Sequence, residues 1–63
     1  DYWVTKAYIL LGDVYFKQKD YFNAKATFQS IVDNTLNTEL KNEAQAKLSK
    51  VVDEESESSK VGN

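Results

Sequence analysis

The chain has 63 residues, a formal net charge of −2, and neither cysteine nor histidine. The composition excludes disulfides and the usual zinc ligand sets, so we expect no metal and no cofactor. The acidic balance argues against a nucleic-acid-binding face, and no apolar run reaches the ~18 residues of a membrane span, so we expect neither nucleic-acid binding nor membrane insertion.

The first predicted helix covers residues 2 to about 18. The chain lacks proline and has glycine only at positions 12 and 62, which favours helix over strands and tight hairpins. On a wheel of 3.6 residues per turn this helix has two apolar faces instead of one. One face comprises Tyr8, Leu11, Gly12 and Tyr15; the other, with heptad-like spacing, comprises Trp3, Ala7, Leu10 and Val14. Two apolar faces require packing on two sides.

The second helix begins after Asp20, whose carboxylate can cap free backbone amides, and runs to about residue 33. It can cover one side of the first helix with Tyr21, Ala24, Phe28, Ile31 and Val32. A polar connection follows, and Thr38 is the expected cap of a third helix over residues 39 to about 52. The third helix has a single apolar stripe formed by Leu40, Ala44, Leu48 and Val51.

The last part of the chain, residues 54–63, differs in composition. It is rich in acidic residues and serines and lacks apolar periodicity. Such a composition is typical of a solvated, flexible end. Ser56 and Ser58, which stand beside carboxylates, leave open a regulatory role by phosphorylation.

The first two predicted helices carry a motif of fixed spacing. It reads Tyr8-x2-Leu11-Gly12-x2-Tyr15, followed by Ala24-x3-Phe28. This motif resembles the tetratricopeptide repeat, a helix–turn–helix unit of about 34 residues. The resemblance covers residues 5–38. It implies an all-α fold in which an antiparallel helical hairpin and a third helix form a fragment of an α–α superhelix, with Tyr8, Tyr15, Tyr21 and Phe28 in the core.

The chain departs from the family pattern at its connections and in the third helix. Lys19 stands where the family prefers glycine, so a left-handed backbone there would cost roughly 1 kcal/mol. Leu36 replaces the usual proline. Gln45 and Ser49 stand where a further repeat would have a leucine and an aromatic residue, which implies a capping helix. We therefore expect a helical domain over residues 1–53, with the repeat at about 5–38 and the capping helix at about 39–53, and a flexible acidic tail over 54–63.

No pattern in the chain indicates catalysis. Asp13 has no histidine, cysteine or second carboxylate near it in the sequence, so we expect a solvated charge there and no enzyme.

The resemblance does suggest a binding surface. In this family the first helix of each repeat lines a concave groove that binds peptides, and the matching positions here are Lys6, Ile9, Asp13, Phe16 and Lys17. We call these five residues the predicted stripe, and we expect it to contact a partner that has an apolar anchor and a nearby carboxylate. The alternative is that the stripe only covers the edge of a small domain. The carboxylate clamp of the family is not supported, since Ile9, Leu10 and Asp13 stand where parts of it would be.

The face formed by Trp3, Ala7, Leu10 and Val14 is beyond the reach of the second helix. We expect a preceding repeat of a longer parent chain to cover it, or a second copy when this chain is alone. The function that the resemblance implies is protein–protein interaction at the C-terminal part of a tetratricopeptide scaffold or adaptor. The alternatives are a homo-oligomerisation module acting through the first helix and a purely structural cap. The sequence indicates no compartment.

Overall fold

The computed structural model describes the backbone of residues 2–61 and the side chains of residues 2–58. In this range three α-helices follow one another: α1 (Tyr2–Lys17), α2 (Tyr21–Asn34) and α3 (Thr38–Val61). The described residues contain no strand, and the predicted all-α fold class is confirmed. Helix α2 packs against both other helices, whereas α1 and α3 meet over a smaller area.

The turn between α1 and α2 closes one helix and opens the next. The Lys19 N–H donates to the Phe16 carbonyl at 3.0 Å, and the Asp20 N–H donates to the Tyr15 carbonyl at 2.9 Å. These are the paired hydrogen bonds of a Schellman motif. Lys19 has a φ of 63°, so a non-glycine residue occupies the left-handed position. The Asn23 N–H donates to Asp20 Oδ1 at 3.2 Å, which confirms Asp20 as the N-cap of α2.

Helix α3 begins with a different cap from the one predicted. The Leu40 N–H donates to Asn37 Oδ1 at 3.0 Å, and the Lys41 N–H donates to the Asn37 carbonyl at 2.9 Å. Asn37 is therefore the N-cap, and Thr38 is the first helical residue. The prediction that Thr38 caps α3 is wrong. Asparagine competes well for this position because its short side chain reaches the free amides of the first turn.

The far end of α3 also differs from the prediction. The helix continues through Val61, so the predicted end near residue 52 is wrong, and the segment predicted as a flexible tail is helical over residues 54–61. Gly62 and Asn63, which complete that segment, lie outside the described residues. Glutamate and lysine favour helix even without an apolar stripe. In addition, Lys25 Nζ lies 2.7 Å from Glu55 Oε1, which ties the start of this extension to α2.

The core lies where the three helices meet. Its buried side chains are Ile9, Ala24, Phe28, Ile31, Leu40, Ala44 and Val51, and Tyr15, Phe16, Tyr21, Val32 and Leu48 pack against them. The apolar residues predicted to face inward on α2 and α3 thus do so. Gly12 is buried as well. Gly12 and Ala24 are the two small residues of the motif and predict a close approach of α1 to the Ala24 side of α2; the side chain nearest to Gly12 is the ring of Phe28, one helical turn beyond Ala24.

Two residues predicted to pack within the repeat lie outside this core. Tyr8 is 52% exposed, and Leu11 is partly exposed. Both line a shallow depression with Tyr15, and its α2 side consists of Asn23, Ala26, Thr27 and Ser30. These small or polar side chains leave the outer parts of Tyr8 and Leu11 uncovered. The prediction that Tyr8 is a core residue is therefore wrong.

Candidate functional site

Helix α1 has its charged residues on one side and exposed apolar residues on the other. Lys6 and Asp13 face α3, with which both form ion pairs. At about 100° per residue the opposite side contains no charged residue. Around that side stand, in order, Leu10, Trp3, Val14, Ala7, Leu11, Val4, Tyr15 and Tyr8. An ordinary surface helix has the reverse arrangement, with its apolar stripe inward and its charges in solvent.

Two ion pairs connect the predicted stripe to α3. Lys6 Nζ lies 3.8 Å from Glu43 Oε1, and Lys47 Nζ lies 3.1 Å from Asp13 Oδ1 and 3.3 Å from Asp13 Oδ2. The four side chains are between 33% and 39% exposed. Because water screens such pairs, each contributes at most about 1 kcal/mol to stability. Both pairs favour the orientation in which this side of α1 faces α3.

The stripe was predicted to be available to a partner, and for one of its residues this is wrong. Ile9 is 2% exposed and belongs to the core. Ile9 belongs to a buried cluster with residues of both α2 and α3, so the core of the three helices encloses it. Lys6 is engaged with Glu43 and does not line the groove described next.

The remaining three residues of the stripe, Asp13, Phe16 and Lys17, do come together. They line a groove of about 620 Å³ between α1 and α3, which we call the α1–α3 groove. Phe16 is half-buried there, and its ring lies edge-on to that of Tyr21, with centroids 6.1 Å apart. The other lining residues are Leu10, Val14, Phe28, Lys47, Lys50 and Val51.

The groove combines an apolar surface with a positive rim. Three lysines, Lys17, Lys47 and Lys50, line it together with one carboxylate, that of Asp13. Lys47 is paired with Asp13, and within the described residues neither Lys17 nor Lys50 forms an ion pair. An anionic group in the groove would therefore meet two uncompensated ammonium groups beside an apolar surface.

Sequence reasoning missed the contribution of α3 to this groove. Lys50 and Val51 follow Lys47 by three and four residues, which places both beside Lys47 on one face of a helix. Helical periodicity marks this face of α3, but it does not show that α1 lies beside it. Leu10 and Val14 were assigned to the other apolar face of α1 and lie at the border between that face and the groove.

The second predicted surface, formed by Trp3, Ala7, Leu10 and Val14, is exposed. Trp3 is 75% exposed and Leu10 is 65% exposed, while Ala7 and Val14 are exposed as well. The ring of Trp3 contacts that of Tyr2 edge-on, with centroids 4.9 Å apart. Neither α2 nor α3 covers this face. The sequence predicted that it lies beyond the reach of α2.

The described residues hold no group of three side chains that could bind a metal ion. Across the same range, none of the helices has the length and hydropathy needed to cross a bilayer.

Comparison of the chain with protein-family models, with curated proteins and with solved structures found no match. The resemblance to the tetratricopeptide repeat thus rests on the motif residues and their placement.

Proposed function

We propose that this chain is a protein-interaction module of the tetratricopeptide kind and that its α1–α3 groove binds a peptide segment of a partner protein. The segment would carry an apolar side chain next to a carboxylate. The proposal includes no catalytic step and no cofactor.

Three features at motif positions support the tetratricopeptide part of the proposal. Gly12 lies directly against the Phe28 ring, and Ala24 is completely buried in the same interface. Lys19 adopts a left-handed backbone. Glycine adopts this conformation most easily, which accounts for the family's preference for glycine at this position. Gly12 and Ala24 thus take part in the close packing that small residues suit, whereas the motif residues Tyr8 and Leu11 lie outside the core.

The observation that carries the binding part is the composition of the groove. Leu10, Val14 and Phe16 offer accessible apolar surface, and Lys17 and Lys50 stand at the rim without carboxylate partners in the described part of the chain. Burial of one apolar anchor provides affinity, at about 25 cal/mol per Å² before the costs of association. The lysines contribute mainly to orientation and to the rate of association.

The test uses short fluorescein-labelled peptides that pair a leucine or phenylalanine with a neighbouring glutamate, compared with the same peptides carrying glutamine. Fluorescence anisotropy should show tighter binding of the glutamate peptides, and added salt should reduce the difference because the charges are exposed. Equal affinity for both peptide series would contradict the role given to the lysines.

Charge-reversal variants locate the site. Lys50→Glu should weaken binding of the glutamate peptides about threefold to tenfold, since it replaces an exposed attraction with a repulsion. Lys41→Glu is the matched control: Lys41 is an exposed lysine on the same helix and does not line the groove. If both variants weakened binding equally, the effect would reflect net charge alone and the groove assignment would be wrong.

A further inference from the structure

The outer side of α1 exposes several apolar side chains, and burial of these side chains against another surface would be favourable. We define the outer face as the seam of Trp3, Ala7, Leu10 and Val14 together with the flanking residues Val4 and Leu11. All six are exposed, and no charged residue lies among them. We infer that the outer face is the interface of a symmetric antiparallel dimer of this chain, a role different from peptide binding in the groove, although Leu10 and Val14 belong to both surfaces.

Side-chain sizes along the seam favour pairing with an antiparallel second copy. Its spacings of four, three and four residues are those of a coiled-coil seam. If two copies pair about the point midway between Ala7 and Leu10, each Trp3 faces Val14 of the second copy and each Ala7 faces Leu10 of the second copy. A large side chain then always opposes a smaller one. Parallel pairing would set Trp3 against Trp3 and Ala7 against Ala7, which produces a clash at one level and a gap at another.

The residues beside the seam favour the same orientation. In an antiparallel pair, residues on the same edge of the two seams meet. On one edge, Lys6 then lies near Asp13 of the second copy, so opposite charges meet; each also keeps its own ion pair with α3. On the other edge, Val4 lies near Leu11 of the second copy, so apolar residues meet. Parallel pairing would instead set the charged edge of one copy against the apolar edge of the other.

The area available is sufficient for a dimer of modest affinity. Taking roughly 150–250 Å² for a fully exposed aromatic side chain and less for aliphatic ones, the outer face exposes on the order of 600 Å² of apolar surface per copy. A standard interface buries about 800 Å² per partner, and the largest apolar patch of a typical monomer is about 300–600 Å². The apolar area of the outer face thus equals that of the largest patches found on monomers and approaches the area that each partner buries in a standard interface.

Sedimentation equilibrium of the chain at increasing concentration tests the inference. We expect a monomer–dimer equilibrium, with dimer present at high micromolar concentration. Trp3→Ala should raise the dimer dissociation constant about tenfold or more, because a large aromatic side chain at the interface is lost. Phe22→Ala is the matched control: Phe22 is 76% exposed, as Trp3 is 75% exposed, but it lies on α2 away from the seam. A strict monomer, or equal effects of the two variants, would overturn the inference.

A pair of size exchanges tests the antiparallel register. Ala7→Leu alone should weaken the dimer, because two leucine side chains would then meet at positions 7 and 10. Adding Leu10→Ala should restore the dimer to within a few fold of the original, since the exchange keeps one large and one small side chain at each contact. In a parallel pair each position meets itself, so the second substitution could not repair the first. Failure of the rescue, with helix content unchanged, would refute the antiparallel arrangement.

The two proposals can fail separately. Lys50→Glu should weaken peptide binding and leave the dimer unchanged, because Lys50 lies on α3 at the groove and not on the outer face. Trp3→Ala should weaken the dimer, and it should leave peptide binding unchanged at concentrations where the chain is monomeric, because Trp3 does not line the groove. The comparison uses monomer because Leu10 and Val14 belong to both surfaces. If Trp3→Ala abolished peptide binding and left the dimer intact, the outer face would be a binding surface for another protein and the dimer inference would be wrong.

Discussion

The ring of Phe28 occupies the space that a side chain at Gly12 would need. A Cβ placed on Gly12 would lie 2.5 Å from both Cε1 and Cζ of Phe28. Phe28 is 1% exposed, so its ring is enclosed by the core and has little freedom to move aside. Gly12 is therefore required by the packing between α1 and α2, although glycine weakens a helix.

Replacing this glycine should destabilise the domain. We expect Gly12→Ala to lower the free energy of unfolding by about 1–3 kcal/mol, the usual cost of overpacking, despite the intrinsic gain of about 1 kcal/mol from alanine in a helix. Gly12→Leu should cost more. Urea denaturation followed by circular dichroism measures both.

A double-mutant cycle shows whether Phe28 is the cause. In the background of Phe28→Leu, which shortens the opposing side chain, Gly12→Ala should cost less than in the native chain or become favourable. Equal costs in the two backgrounds would mean that the ring of Phe28 does not limit this position.

The left-handed residue in the first turn offers a stabilising substitution. Lys19→Gly should raise the free energy of unfolding by about 0.5–1 kcal/mol, because glycine adopts a φ of 63° without the steric cost borne by lysine. The two hydrogen bonds of the Schellman motif come from the backbone and are kept. Gln18→Gly is the control: Gln18 lacks a positive φ, so glycine there should only destabilise. A loss of stability in Lys19→Gly would contradict this account of the turn.

Truncation of α3 at two positions should show which part of the helix contributes to the free energy of unfolding. A chain ending after Glu55 keeps the buried Val51 and the pair with Lys25, so its stability should lie within about 1 kcal/mol of the full chain. A chain ending after Lys50 loses both and should be less stable by at least about 1.5–3 kcal/mol, the value of burying one aliphatic side chain. Similar melting temperatures for the two truncated chains would show that Val51 contributes little to the core.

Two adjacent residues of α1 should lose very different amounts of stability when their side chains are truncated. Ile9→Ala should cost about 2–5 kcal/mol of stability because Ile9 is a core residue. Leu10→Ala should cost less than about 1 kcal/mol at low concentration, where the chain is monomeric, because Leu10 is 65% exposed. If Ile9→Ala left stability unchanged, the assignment of Ile9 to the core would be wrong, and its original assignment to the binding stripe would regain support.

The parts of the fold that follow from local chemistry were predictable from the sequence. Asp20 marks the start of α2 through its own side chain, and the stripe from Leu40 to Val51 identifies the buried face of α3. The end of α3 was not predictable in the same way. The residues after Val52 lack an apolar stripe, and the contact between Lys25 and Glu55 joins positions 30 residues apart, which no local pattern reveals.

The candidate site was predictable only in part, for a geometric reason. Helical periodicity places Asp13, Phe16 and Lys17 on one side of α1, and the structure keeps them together. Periodicity within one helix does not say how another helix lies across it. Packing of the three helices makes Ile9 a core residue, and the placement of α3 brings Lys47 and Lys50 to the groove.

Asp20 and Asn37 have a consequence for the speed of folding. Each residue ends a short connection, and its side chain accepts a hydrogen bond from the first turn of the next helix. Neighbouring helices are therefore joined by short, ordered connections. Most contacts in such a chain join residues close in sequence, a topology that folds in microseconds to milliseconds. The link at Asp20 has the additional order imposed by the Schellman motif, so we expect α1 and α2 to assemble first and α3 to dock onto them. Folding and unfolding rates of variants would detect this order of events: Asp20→Ala should slow folding, whereas Val51→Ala should mainly speed unfolding.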